Sequence, residues 1–189
     1  MSVLGRGSGP TRPTLETQRL KLRRWRESDR EPFAAMNADS VVMEHFAEPL
    51  TRAQSDELIE RIEDGFEANG FGLWALEVRR AGEFIGFTGL AVPEFEAHFT
   101  PAVEIGWRLA RSAWGNGYAT EAARAVLSFG FEEAGLNEVV SFTVPTNRRS
   151  LAVMERIGMS RDPRDDFDHP GLPEGHLLRP HVLYRVRPG

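Results

Sequence analysis

The chain reads as an α/β domain on a mixed sheet: an antiparallel meander joined to a parallel strand pair by a crossover helix, with about six or seven strands and four helices. Three observations lead there. Hydrophobic periodicity changes from helical to strand-like near residue 71. Three strand-like segments come next in succession, in the order a meander needs. A long Ala-, Glu- and Arg-bearing run then separates the last of them from the next strand, and a connection of that length implies a parallel pair.

Residues 1–14, "MSVLGRGSGPTRPT", carry Gly, Pro and Arg without an apolar stretch, so they read as a flexible tail rather than a secretory signal. "RLKLRRW" (19–25) alternates Leu20 and Leu22 with basic residues, as a half-buried strand does. "ESDREPFAAMNAD" (27–39) suits a short helix capped by Ser28 or Asp29, with Pro32 in its first turn. Residues 51–70 form a stronger helix: Leu58, Ile59, Ile62 and Phe66 share a face, and Asn69-Gly70 ends it. Strands are expected at 71–80, 83–92 and 102–110, with Ala81-Gly82 as a tight hairpin and 93–101 as an exposed loop bracketed by prolines. A helix at 119–134, a Val-rich strand at 138–144 and a helix at 147–159 come next, with Gly158 at the end of the last. A loop-rich stretch then leads to a strand at 181–187, and no internal repeat is present.

Composition narrows the function classes. The 189 residues, 41% hydrophobic and 27% charged, suit one globular domain over 15–189. No apolar run is long enough to span a bilayer. The net charge of −5 disfavours nonspecific nucleic-acid binding. Arg19, Lys21, Arg23, Arg24, Arg26 and Arg30 nevertheless cluster, as a solvated strand face or, less simply, a nucleic-acid patch. The absence of Cys removes disulfides, thiolate metal sites and a Cys nucleophile, and suits a reducing, cytoplasmic setting.

The stretch that carries chemistry is "SAWGNGYATEAARAVLSFGF" (112–131). Asn116-Gly117 alone would suggest a hairpin turn. The residues behind it instead read as a helix, whose first N–H groups are unpaired and whose dipole is positive there. Gly115 and Gly117 let a ligand approach the backbone, so the segment is either a plain turn or an anion site suited to a pyrophosphate. A side chain at Gly117 is expected to block that approach at little cost to the fold. The P-loop pattern fails for want of Lys-Ser/Thr, and the dinucleotide-binding pattern fails at Thr120, where a third Gly belongs.

Three segments together resemble one family. They are Glu104-Ile-Gly-Trp107 at a strand, Trp114 to Ala122 entering a helix, and Asn147 to Ser150 after the next strand; "MERIGM" (154–159) adds to them. The resemblance is to the GNAT superfamily of acetyl-CoA-dependent N-acetyltransferases, and within it to the RimJ/RimL-type branch, named for enzymes that acetylate protein N-termini. It covers about 15–187 and is specific over 102–159. Trp114 stands where the superfamily usually has Gln or Arg.

The resemblance implies direct attack of a primary amine, on a protein N-terminus or a small molecule, upon bound acetyl-CoA, with no acyl-enzyme and no metal. It implies Glu104 as the base, unless Glu104 is a strand carboxylate paired with Arg108. It implies Ser150 as the group that protonates the departing thiolate, unless Ser150 only caps its helix. Many members use a Tyr in that helix; none is present here, and Tyr118 and Tyr184 fit poorly by position. Cofactor contacts are expected from Trp107, Arg108, Leu109 and Arg111, from Gly115, Asn116, Gly117, Tyr118, Ala119 and Thr120, and from Asn147 and Ser150. Trp25, Trp74, Phe95 and His98 are candidates for the acceptor pocket, though core packing accounts for the tryptophans equally.

Other readings are weaker. Asp166, Asp168, His169, His176 and His181 match no standard zinc spacing. A serine hydrolase would need a Gly-x-Ser-x-Gly elbow, which is missing. A non-catalytic acyl-CoA-binding or sensing protein on the same fold is the main alternative. No membrane partner is expected, nucleic acid is disfavoured, and a homodimer is allowed for.

Overall fold

The computed structural model describes residues 14–189, so the N-terminal tail foreseen over 1–14 lies, but for Thr14, outside the described residues. One sheet carries the fold. Its strands are β1 (Leu15–Glu16), β2 (Leu20–Arg23), β3 (Leu73–Val78), β4 (Glu83–Ala91), β5 (Glu104–Leu109), β6 (Val139–Thr143), β7 (Ser160–Arg161), β8 (Phe167–Asp168) and β9 (Pro180–Val186). The order is β1-β2-β3-β4-β5-β6-β9-β7, with β8 also pairing β9. The strands from β1 to β5 run antiparallel, β5 and β6 are parallel, and β6 to β9 is antiparallel again. Among the described residues, nine strands replace the six or seven expected. The three extra ones, β1, β7 and β8, are two residues long, too short for alternation to register.

The described residues form four α-helices: α1 (Arg30–Ala38), α2 (Arg52–Asn69), α3 (Tyr118–Glu132) and α4 (Arg148–Arg156). Helix α2 starts on a capping box, Thr51 with Gln54, and stops at Gly70 in the left-handed region. Residues 27–29 form a 3-10 turn ahead of α1. Asp29 is the capping residue of α1 but makes no side-chain cap bond. Its carboxylate instead accepts from the Arg26 backbone N–H and from Arg23.

Packing explains what positions the site. Ala122, Ala123 and Val126 of α3 are fully buried against Leu90 of β4 and Ile105 of β5. The small side chains let the start of α3 lie close to the sheet. Trp74 is wholly buried between Phe66 and Phe129, at 5.2 and 5.3 Å. A second cluster sets Phe33 and Met36 of α1 and Ile59 of α2 against Phe87 of β4. An irregular register between β3 and β4 leaves Ile85 unpaired, so Ile85 joins the first cluster and Phe87 the second.

Three local expectations need correction. The loop 93–101 is not simply exposed: Phe99 is buried and Phe95 packs on Phe142 and Phe167. The hairpin after β3 has four residues rather than two, with Gly82 at positive φ. The Arg-rich start is a solvated face only in part, with Arg19 and Arg26 exposed. Arg23 is buried between Asp29 and Glu77, and Arg19, Arg24, Arg26 and Arg30 each hold a carboxylate. Charges already paired within the chain give a phosphate backbone little to bind.

Candidate active site

The parallel pair β5–β6 has one registered partner, Glu104 with Val140. Beyond it the strands diverge, and the β5 backbone edge that faces β6 past Glu104 has no strand partner. A cavity of about 1180 Å³ occupies this opening and reaches both faces of the sheet. The start of α3 and one side of α4 form one wall, and the α1–α2 connection with His169 and His181 forms another.

The first wall is built for an anion. Gly115 and Gly117 both have φ of +77°, which turns the chain so that Tyr118 opens α3. Gly117 caps the helix without any side-chain bond, and the first backbone acceptor, Gly117 O, is used only at Glu121 N. The N–H groups of Tyr118, Ala119 and Thr120 therefore have no intrahelical acceptor, and all three residues line the cavity. A Cβ at Gly115 would meet nothing within 4 Å, so the space above the loop is open. This donor set fits the pyrophosphate of acetyl-CoA. Arg124, Arg148, Arg149 and Arg156 line the same half of the cavity. Arg149 stacks on Trp114, 4.2 Å from the ring, and Trp114 Nε1 donates to Leu109 O at 2.9 Å. Trp114 thus braces the loop through packing and one hydrogen bond.

Arg19 fixes this loop from the far edge of the sheet. Its Nε donates to the Glu121 carboxylate at 2.6 Å, its Nη1 to Asn116 O at 2.9 Å, and its guanidinium covers the Tyr118 ring. Thr17 adds a hydroxyl bond to Glu121 at 2.6 Å. Hydrogen bonds from Thr17 and Arg19 hold the Glu121 carboxyl below its ordinary range against the opposing effect of burial.

At the junction of the two walls sits Glu104. It is partly buried and lines the cavity, with Oε1 about 3.9 Å from where a Gly106 side chain would begin. Burial pushes its carboxyl up to about 8. Among the described residues no group lies in ion-pairing distance, so the Glu104–Arg108 pair considered from the sequence is absent. Arg108 shares the strand face of Glu104 but turns to Asn37 Oδ1, 2.7 Å away, under Phe46. On the opposite face Trp107 Nε1 donates to Ser150 Oγ at 3.3 Å, and Ser150 N donates to Asn147 Oδ1 at 3.2 Å. Asn147 caps α4 and also donates to Thr143 Oγ1.

A family model described as "Acetyltransferase (GNAT) domain" matches residues 19–160. The chain belongs to the GNAT acetyltransferase family. It is 35% identical to the Bacillus subtilis (strain 168) protein YkkB over 77% of this chain and 84% of that one. It is 34% identical to "FsC-acetyl coenzyme A-N(2)-transacetylase" of Aspergillus fumigatus over 87% of this chain and 74% of the relative. A solved acetyltransferase from Agrobacterium tumefaciens str. C58 superposes with a TM-score of 0.76 at 28% identity, covering 100% and 99% of the two chains. This GNAT protein is accordingly an acetyl-CoA-dependent acyltransferase, and the mixed sheet expected from the sequence is the GNAT fold.

Within that GNAT frame, the expected cofactor residues gather with two exceptions. Trp107 and Leu109 line the cavity, as do Gly115, Gly117, Tyr118 and Ala119. Thr120, Asn147 and Ser150 join them. Arg111 is exposed outside the cavity, and the Asn116 side chain is spent on Ala113 O and Trp114 O. Arg108 lines the cavity through a side chain directed at the second wall.

None of the four acceptor candidates lines the cavity. Trp74 lies in the core, and Trp25 packs on Phe33 with its Nε1 donating to Leu73 O. Phe95 lies in the aromatic cluster of Phe142 and Phe167. His98 is exposed, 3.8 Å from Asp165. The second wall is instead formed by Val41, Val42, His45 and Phe46, with Phe87, from a stretch without any periodicity to mark it. Arg19 was equally hidden, since its contact with Glu121 spans 102 residues. Arg149 and Arg156 could have been found: their spacing of seven places both on one side of a helix. Among the described residues there is no group of His, Cys, Asp and Glu able to hold a metal, and no helix long and apolar enough to cross a membrane.

Proposed function

We propose that the chain is an N-acetyltransferase of the RimJ/RimL-type branch that joins an acetyl group to a primary amine, on a protein N-terminus or a small molecule, in a ternary complex. The observation that carries this is the cavity that runs from the start of α3, through the gap between β5 and β6, to Glu104 and on to a second wall. One half suits a phosphate-bearing cosubstrate and the other a separate acceptor, and Glu104 stands between them.

Bound acetyl-CoA supplies an acetyl group already activated as a thioester, so no acyl-enzyme is needed. The unspent N–H groups at the start of α3 hold the phosphates, with the α3 and α4 arginines beside them. The free β5 edge at Trp107 and Leu109 offers backbone donors to the acyl arm. An amine is mostly protonated at neutral pH, and Glu104 takes its proton. A carboxyl held up to about 8 is a stronger base than an ordinary one, at the cost of being ionised in only a minority of molecules at pH 7. Ser150 keeps a hydroxyl proton at Oγ while Trp107 Nε1 occupies one of its lone pairs. That proton is the one Ser150 would give to a leaving sulfur.

A sensor that only binds acyl-CoA has no use for the second wall or for an enclosed carboxyl at the junction. The test is release of free CoA from acetyl-CoA with a panel of amines and peptides, alongside direct binding of acetyl-CoA. Amine-dependent release supports the proposal. Tight binding without release for any acceptor replaces it with the sensor.

A further inference from the structure

We propose that the acceptor amine also carries a carboxylate, and that Arg108 is the residue that binds it. The inference rests on the acetyltransferase reading above and names its substrate class.

Arg108 is a cation without a counter-ion. Its Nη1 donates to a neutral acceptor, Asn37 Oδ1 at 2.7 Å, and its guanidinium lies over Phe46 and near Phe87, at 4.2 and 5.4 Å. Its Nε is enclosed and has no hydrogen-bond partner. Among the described residues no carboxylate pairs with it, while Arg23, Arg24, Arg30, Arg52 and Arg185 all hold one or more. A buried donor left unpaired and a buried charge left unbalanced are both costly, and neither is usual without a compensating partner. The edge that Asn37 leaves unengaged is Nε with Nη2. Such an edge is the planar fork that takes a carboxylate through two parallel hydrogen bonds, and with Nε enclosed a carboxylate reaches it once the Arg108 side chain or the Phe46 ring against it turns aside.

The charges around the cavity point the same way. Its arginines divide by wall: Arg124, Arg148, Arg149 and Arg156 come from α3 and α4, beside the phosphate-binding start of α3, and Arg108 alone comes from β5 on the acceptor side. Two carboxylates line the cavity. Glu121 is committed to Arg19 at 2.6 Å, and Glu104 is held mostly protonated at neutral pH by burial. The acceptor half is therefore positive before substrate arrives, in a chain whose net charge is −5. A polycation would meet Arg108 as a like charge, whereas a carboxylate would complete it. Glu104 and Arg108 share a strand face four residues apart, roughly 13 Å between Cα atoms at strand rise. One molecule whose amine reaches Glu104 can thus set its acid on Arg108.

The test compares matched acceptors on the unmodified chain: α-amino acids, ω-amino acids and dipeptides, each against its carboxamide, with spermidine as the polycation. The expected kcat/KM favours the acid over its own carboxamide by about tenfold or more. Arg108→Met should bring that ratio to about one, Arg108→Lys should keep part of it, and acetyl-CoA binding by calorimetry checks that both variants remain folded. Equal or better use of the carboxamides or spermidine overturns the inference. So does an acid preference that survives in Arg108→Met, or an absence of turnover for every acid while a carboxamide or spermidine is acetylated. Loss of acetyl-CoA binding by the unmodified chain, or binding without turnover of any acceptor, would instead sink the acetyltransferase reading beneath it.

Discussion

Replacing Glu104 with Gln removes the proton acceptor and keeps the shape. With the carboxyl at about 8, roughly a tenth of it is ionised at pH 7 and roughly nine tenths at pH 9. If Glu104 is the base, kcat/KM should climb about tenfold over that interval and level off above it. The acceptor amine also loses its proton as pH rises, so the unmodified profile alone does not isolate Glu104. The Glu104→Gln profile does, because only the acceptor still titrates. The variant should lose about 100-fold or more of the plateau rate, the usual scale for a missing general base, with acetyl-CoA affinity kept. Stability gives a second reading. A carboxyl raised on folding binds its proton more tightly when folded, so stability is full below the ordinary carboxylate range and falls as pH rises through about 8. Glu104→Gln should therefore gain stability over the parent from pH 5 to pH 9, with a ceiling of roughly 5 kcal/mol that water in the cavity reduces. Rates measured from pH 6 to 9.5 with a fixed amine, beside thermal melts, decide it. Identical profiles and plateau rates for parent and variant would refute the role of Glu104.

Three further outcomes are expected. Arg19→Met should weaken acetyl-CoA binding about fivefold by freeing Asn116 and Glu121, measured by calorimetry, because partly exposed charged bonds contribute about 1 kcal/mol; unchanged affinity would mean that the loop holds its shape without the clamp. Gly117→Ala should lower stability by roughly 1–2 kcal/mol as well as acetyl-CoA affinity, because its φ of +77° is left-handed. This corrects the expectation of little cost to the fold, and an alanine variant as stable as the parent would contradict it. Trp74→Ala should cost about 3–5 kcal/mol in denaturant melts; a stable variant with an altered acceptor KM would move Trp74 from the core back to the pocket.

How far the sequence reached depended on the range of the interaction. The turn into α3 was legible, as either a plain turn or an anion site, because Gly115, Gly117 and the helix after them are neighbours in sequence; only the family resemblance pointed to the pyrophosphate of acetyl-CoA. Glu104 stood out through its place in a motif. Trp25 and Trp74 could not be sorted, since an aromatic side chain suits a core and a pocket equally, and only packing against Phe33 or Phe66 decides. The isolation of Arg108 from Glu104 depends on where Asn37 sits, 71 residues earlier. The second wall, residues 41–47, has neither helical nor strand period, so nothing in the sequence signalled that it closes over the gap. The two-residue strands β7 and β8 exist because β9 offers a free edge, not because their own residues demand extension.

An enzyme whose two cavity halves bring an amine and acetyl-CoA together at Glu104 turns over only when both are present. Mass spectrometry of the acceptor, run beside a thiol assay for released CoA, tests it most directly. One acetylated amine is expected for each CoA freed, with no release above background when the amine is left out. Acetyl-CoA bound at the start of α3 with no acetylated product from any amine supplied would contradict it.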